Sequence, residues 1–218
     1  MSKVIKFGED VDGFVIPVLN EREIRAAAGI LFFLMLVSIL TVIMKGDFTL
    51  LKYAVTIFLT DMIVRVFVNP KFSPTLIIGR WIVRNQVPEY VGAPQKKFAW
   101  VIGFSLAVIM FVLLNLVNSY SPITGLICFI CIIFLFFESA FGICLGCKFY
   151  PLFFKNKVQY CPGEVCEVKD RHEIQKITGS QLLIVAAFVL FIVLAVIFLK
   201  DVYSVKPFEL FGTPNPAH

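Results

Sequence analysis

Five stretches of the chain are uninterrupted apolar runs: residues 26–44, 49–68, 98–117, 123–145 and 182–199. About 20 helical residues at about 1.5 Å each cross the roughly 30 Å of hydrocarbon in a bilayer, so each run predicts a transmembrane helix. The first, third and fifth hold no charged residue, whereas 49–68 carries Asp61 and Arg65 in its second half and 123–145 carries Glu138. Between the second and third runs Pro70 and Pro74 stop the helix. Residues 75–86 then place bulky apolar positions around a narrow polar stripe of Ser73, Arg80 and Arg84. This pattern predicts a short helix on the inner headgroup layer, anchored by Trp81, Arg80 and Arg84. The arginines either snorkel or contact a substrate or lipid phosphate. Asn20 followed by Glu23 predicts a capping box that starts the first helix before the membrane.

The expected organisation is an all-α, polytopic transmembrane helix bundle of about five spans plus the short interfacial helix. An N-terminal segment at 1–24 precedes a four-span membrane domain at 25–147, with the interfacial helix near 75–86. A cysteine-containing loop follows at 148–181, then a fifth span and tail at 182–218. The first run follows Glu21 and Glu23 and ends without a small-x-small pattern, so it is expected to stay in the membrane and not be cleaved.

Composition agrees: 59% of residues are hydrophobic and 16% charged, and the mean hydropathy is +0.87. A water-soluble domain, a disordered chain and a nucleic-acid module are excluded on that balance. Lys and Arg divide 15 to 4 between alternate ends of the runs, the minority being Lys45, Lys52, Lys200 and Lys206. The positive-inside rule then predicts a bacterial inner membrane protein with its N-terminus in the cytoplasm and its C-terminus outside.

Ionisable groups at bilayer depth cost at least about 2.5–3.5 kcal/mol each unless paired, so Asp61, Arg65 and Glu138 are expected to find partners. Arg65 and Glu138 come to similar depth, and Asp61 lies one helical turn from Arg65, so Arg65 is placed to bridge both carboxylates. Such a cluster either docks the second span on the fourth or serves a small-anion or proton-coupled transporter.

The cysteines carry the remaining chemistry. Cys128 and Cys131 fall inside the fourth run and read as small packing residues. Cys144-Leu-Gly-Cys147 and Cys161-Pro-Gly-Glu-Val-Cys166 fall on the cytoplasmic side, where a permanent disulfide is disfavoured and either catalytic thiols or a metal remain. As ligands, Cys144, Cys147, Cys161 and Cys166 approach the spacing of a tetrahedral zinc site, which would pin the loop of a non-enzymatic scaffold subunit in a larger membrane complex. As redox thiols, Cys144 and Cys147 lie three apart on one helical face. A pair at the C-terminus of a continuous fourth helix would have its thiol pKa raised by the dipole and would point away from Glu138. A third reading is packing alone, two small cysteines and two glycines at a tight helix end. His172 and His218 read as lone exposed residues, and no phosphate loop or dinucleotide fingerprint occurs.

Several marks together resemble a bacterial family of small multi-span membrane proteins known only as a domain of unknown function. They are Asn20-Glu21-Arg22-Glu23-Ile24-Arg25, Asp61-x-x-x-Arg65 with Phe72-Ser73-Pro74, Lys97-Phe98-Ala99, and Glu138-x-x-Phe141-Gly142-x-Cys144-x-Gly146-Cys147. The likeness covers roughly residues 15–150 and implies a four-span unit, with the second cysteine pair and fifth span as an extension. Members found beside thioredoxin-like or sulfurtransferase-like proteins imply thiol-redox or sulfur-relay chemistry without assigning a reaction, and leave open whether the chain is an enzyme.

Overall fold

The structure is a computed structural model that describes residues 7–147 and 177–209. Helices dominate it. After strand β1 (Val18–Asn20) comes α1 (Glu21–Lys45) and then α2 (Thr49–Ile63), which widens into a π-helical turn at Val64–Val68. A 3-10 turn (Pro70–Phe72) leads into α3 (Pro74–Ile82) and strand β2 (Tyr90–Gly92). Helix α4 (Ala93–Phe111) and helix α5 (Pro122–Phe136) each end in a π turn, at Val112–Leu116 and Phe137–Phe141, with the short strand β3 (Ser119–Tyr120) between them. Helix α6 (Gly179–Ser204) and strand β4 (Phe208–Glu209) close the described chain.

Among the described residues four helices are long and apolar enough to cross a membrane: α1, α4 and α5 with their π turns, and α6. Length and composition thus make this a membrane protein. The second predicted span also runs as one rod from Thr49 to Val68, but Lys52, Asp61 and Arg65 give it more charge than the other four. Helix α6 exposes Leu183, Leu190, Ile197 and Phe198, a surface suited to lipid and not to water.

The bundle is organised on α1, which packs against α2, α3 and α5, while α2 packs against α4. Asn20 caps α1: its side-chain oxygen accepts from the Arg22 N–H at 3.2 Å, and its amide donates to Glu23 at 3.0 Å. The start of α1 is further tied down by antiparallel pairing of β1 with β2, Val18 opposite Gly92 and Asn20 opposite Tyr90. Three-residue strands of this kind give no periodic signal, and the sequence reading had none here.

Helix α3 is shorter than the expected 75–86 and is not simply laid on a headgroup layer. It lies against the first turns of α1, and Gly79 sits so close that a Cβ there would be 2.6 Å from the Glu23 carbonyl oxygen and 3.2 Å from the Ala27 nitrogen. Helix α6 runs beside α2, with Gln181 donating to the Lys71 carbonyl at one end and the Tyr203 hydroxyl bonded to Thr56 at the other. At that second end β3 pairs in parallel with β4, and buried Lys52 donates to Asn118 at 2.7 Å and to the Val205 carbonyl at 2.6 Å.

Two backbones meet at Gly79 with no flexible side chain to give way. Gly79→Ala is therefore expected to destabilise the bundle by about 1–3 kcal/mol, despite alanine's better helix propensity. Denaturant titration in mild detergent followed by circular dichroism measures this. A neutral or stabilising result would contradict the close approach of α3 to α1.

Candidate functional site

The chemistry gathers at the end of the bundle where α1 and α4 begin and α5 finishes. Its centre is a residue that the sequence reading had counted only as a cation outside the membrane, Lys96. Helix α4 starts five residues earlier than the predicted span, with Pro94 in its first turn. Lys96 therefore lies on the helix, 1% exposed, with its Nζ 2.7 Å from Glu21 Oε2 and 2.9 Å from Glu138 Oε1. Glu21 is fully buried, whereas the Glu138 side chain keeps 15% of its surface exposed. One ammonium thus ties the first residue of α1, the first turn of α4 and the last turn of α5. Pro94 was the available signal that Lys96 is helical; its pairing with Glu21 is tertiary and left no trace in the sequence.

The expected bridge from Arg65 to both Asp61 and Glu138 is corrected accordingly. Arg65 pairs with Asp61 alone, Nε to Oδ2 at 2.7 Å, with both side chains buried. Asp61 also accepts from Ser73 Oγ at 2.8 Å, from the Thr75 N–H at 3.1 Å and from Thr75 Oγ1 at 2.8 Å. Arg65 donates to Thr75 at 2.6 Å and stacks its guanidinium 5.2 Å from the centroid of the Trp100 ring. A carboxylate holding four hydrogen bonds is a knot joining α2 to the start of α3, and its lone pairs are already engaged.

Arg80 is likewise not a snorkelling residue. It is buried and donates to Glu23 at 3.1 Å, whereas Trp81 and Arg84 are exposed. The helical spacing of the polar stripe was readable, but which arginine turned inward depended on α3 docking against α1.

The largest departure concerns Cys144 and Cys147. The fourth span is not continuous to residue 145: Gly142 takes a left-handed conformation (φ 66°), and its N–H and that of Ile143 both bond to the Phe137 carbonyl. A glycine in this conformation is the ordinary end of a helix. Arg25 covers that end, donating to the Ala140 carbonyl at 3.4 Å. The chain then turns and begins a new helical turn at residues 145–147. Cys144 stands before that turn, and its sulfur accepts the backbone N–H of Cys147 at 3.3 Å. The expected dipole argument is thereby reversed: donors, not carbonyls, face the Cys144 sulfur. The pair does not point away from Glu138 either, since Cys144 and Glu138 line the same cavity.

The two cysteines differ. Cys144 is buried and Cys147 partly exposed. The Cys147 thiol is held well above its ordinary pKa, first by its hydrogen bond to Cys144 and then by burial, with the Lys96 ammonium acting in the opposite sense. Gly146 permits the turn to press on α4, where a Cβ at 146 would fall 2.6 Å from Ala99 Cβ.

Cys128 and Cys131 are buried in α5 as reduced thiols, and Cys131 lines the cavity as well. Cys161, Cys166 and His172 lie outside the described residues. Among the described residues no group of three or more His, Cys, Asp or Glu side chains is placed to hold a metal.

Breaking the central ion pairing should be costly. Lys96→Met leaves the buried Glu21 carboxylate and Glu138 without their cation and is expected to lower stability by about 3–5 kcal/mol. The double variant Lys96→Met/Glu138→Gln should recover part of that loss. Chemical denaturation of both proteins in detergent measures the difference; equal stability of the single variant and wild type would refute the pairing.

No curated protein and no solved structure matches this chain. A family model does, over residues 19–155, a stretch that holds α1 to α5, the three ion-pair knots and the Cys144–Cys147 turn. The chain belongs to the family described as Domain of unknown function (DUF4395).

Proposed function

We propose that this protein is a membrane-bound thiol–disulfide exchanger working through Cys144 and Cys147. A single observation carries the reading: the Cys144 sulfur receives the Cys147 N–H at 3.3 Å while Cys147 is the partly exposed member of the pair. That asymmetry assigns two roles. In the oxidised pair, the thiolate of a soluble partner attacks the accessible sulfur of Cys147. The Cys144–Cys147 bond breaks, and Cys144 leaves as a thiolate facing a hydrogen-bond donor, with the Lys96 ammonium within electrostatic reach. A second thiol of the partner then attacks its own sulfur in the mixed disulfide and expels Cys147. The partner gains a disulfide and gives up two electrons and two protons, while the protein is left as the dithiol.

The 15-to-4 division of Lys and Arg supports placing this pair on the cytoplasmic face of a bacterial inner membrane, with the N-terminus inside and the C-terminus outside. The partly exposed Cys147 then meets a soluble thiol protein of the thioredoxin-like or sulfurtransferase-like kind. The ion-pair framework beside the two sulfurs, with Asp61 holding four hydrogen bonds, supports a fixed exchange site over a transport path.

Mild oxidation of the purified protein with diamide is expected to join Cys144 to Cys147, as read by peptide mapping with mass spectrometry. Reduced glutathione added to the oxidised protein and quenched with iodoacetamide should appear on Cys147 at least 10-fold more than on Cys144. Failure of the 144–147 disulfide to form, or glutathione spread equally over both cysteines, would overturn the reading.

A further inference from the structure

A dithiol left by such an exchange needs an oxidant, and the bundle holds a cavity beside it. A cavity of about 50 Å³, within some 560 Å³ of empty space that includes open solvent, lies between α1, α2, α4 and α5, and Cys144 forms part of its wall. Most of the lining is apolar, but Arg65, Glu138 and Trp100 contribute polar groups. Trp100 is buried, and its indole N–H has no hydrogen-bond partner. An orphaned buried donor costs about 1–3 kcal/mol, so a ligand carrying an acceptor oxygen would relieve it.

The mouth is equally informative. Gly103 and Leu106 of α4 and Phe134 of α5 line the cavity and are partly exposed, on two helices apolar enough to cross a membrane. A Cβ on Gly103 would meet only Met62 Sδ of α2, at 4.0 Å, so the seam between α4 and α2 is loosely filled there. Those partly exposed residues of two membrane-crossing helices mark the side from which a ligand dissolved in the bilayer would reach the cavity.

We propose, resting on the exchange reading above, that this cavity is a quinone site. A lipid-soluble quinone enters along the Gly103 seam and accepts the electron pair of the Cys144–Cys147 dithiol. The chemistry of a quinone matches each feature. Its ring suits an apolar pocket between helices, and its carbonyl oxygens accept hydrogen bonds from the indole N–H of Trp100 and the guanidinium of Arg65. The negative charge that develops on those oxygens during reduction falls beside the Arg65 cation. Two S–H bonds break and one S–S bond forms, while the quinone takes two electrons and two protons and leaves as the quinol. Glu138, lining the cavity and bonded to Lys96, is placed to pass one of those protons. Electrons then run from the soluble thiol partner, through Cys147 and Cys144, to a membrane-borne carrier.

The test uses the full chain in phospholipid vesicles, reduced with dithiothreitol, freed of reductant and kept anaerobic. Decylubiquinone is expected to oxidise two thiols per quinol formed, and Cys144→Ser to abolish that reaction. Gly103→Phe, which fills the seam, should slow oxidation by decylubiquinone at least 10-fold while glutathione disulfide still oxidises the pair at the wild-type rate. Leu106→Trp serves the same purpose should Gly103→Phe fail to accumulate. In a Trp81→Phe background, decylubiquinone should quench the remaining Trp100 fluorescence saturably, and Gly103→Phe should remove that saturable component. If glutathione disulfide oxidises the dithiol and decylubiquinone does not, the quinone site is wrong and the exchange reading stands. If neither oxidises it, both fall. Equal rates for wild type and Gly103→Phe, with unchanged quenching, would place the quinone elsewhere and overturn the assignment of this cavity.

Discussion

The buried ammonium of Lys96, held at 2.7 Å from Glu21 and 2.9 Å from Glu138, is the constraint on which the arrangement of the site depends. Two carboxylates and one cation in a dry environment repel and attract strongly, because little solvent screens them. Neither acid can move away from the lysine without becoming an unpaired buried charge. That fixes the beginning of α1 and the end of α5 against the first turn of α4. Four residues past Glu138 comes Gly142, whose left-handed turn sends the chain back toward α4, and two residues later Cys144. The cysteine pair thus inherits its position from an electrostatic knot formed by residues far away in the chain.

The same end of the bundle carries two further knots, Asp61 with Arg65 and Glu23 with Arg80, and each joins elements that hydrophobic packing alone would let slide. Apolar helices in lipid have little hydrophobic reason to prefer one register over another, so hydrogen-bonded charges supply the specificity. Arg65 fixes α2 on the start of α3 through Asp61, Ser73 and Thr75, and Arg80 fixes α3 on α1 through Glu23. Gly79 lets α3 come within backbone contact of α1. Together these contacts make a polar floor beneath helices whose sides are apolar, and they hold the side chains around the cysteine pair in one arrangement.

What the sequence disclosed follows from the range of each signal. Long apolar runs report burial in lipid directly, so the helical architecture was legible, and Asn20 announced the start of α1 through a contact within one helical turn. Asp61 and Arg65 were legible as partners for the same reason, being four residues apart on one helix. Glu138 was recognised as needing a cation, but its partner Lys96 sits 42 residues away and looked like one more positive residue flanking a span. Gly142 was visible, yet apolar residues on both sides of it made the run seem continuous. From that one misreading followed the wrong helix end for Cys144 and the wrong direction for its dipole. Strands β1 and β2, three residues each, offer no period to detect, and their pairing depends on a return of the chain that only the folded bundle supplies.

The break at Gly142 also accounts for the cavity. A helix continuing past residue 142 would carry its side chains along α4, closing the space next to Trp100 and Gly103. The reversal instead lays Gly146 against Ala99, where the two backbones approach closely, and sets Cys144 facing inward. Contact is tight at this turn and loose one helical turn farther along α4, at Gly103, because small residues at both places bring the chains together only where the partner is also small. A void bounded by a thiol, a carboxylate, a guanidinium and an unpartnered indole N–H therefore follows from the packing itself. It lies at the boundary between the polar floor and the apolar helices, with Cys144 in its wall.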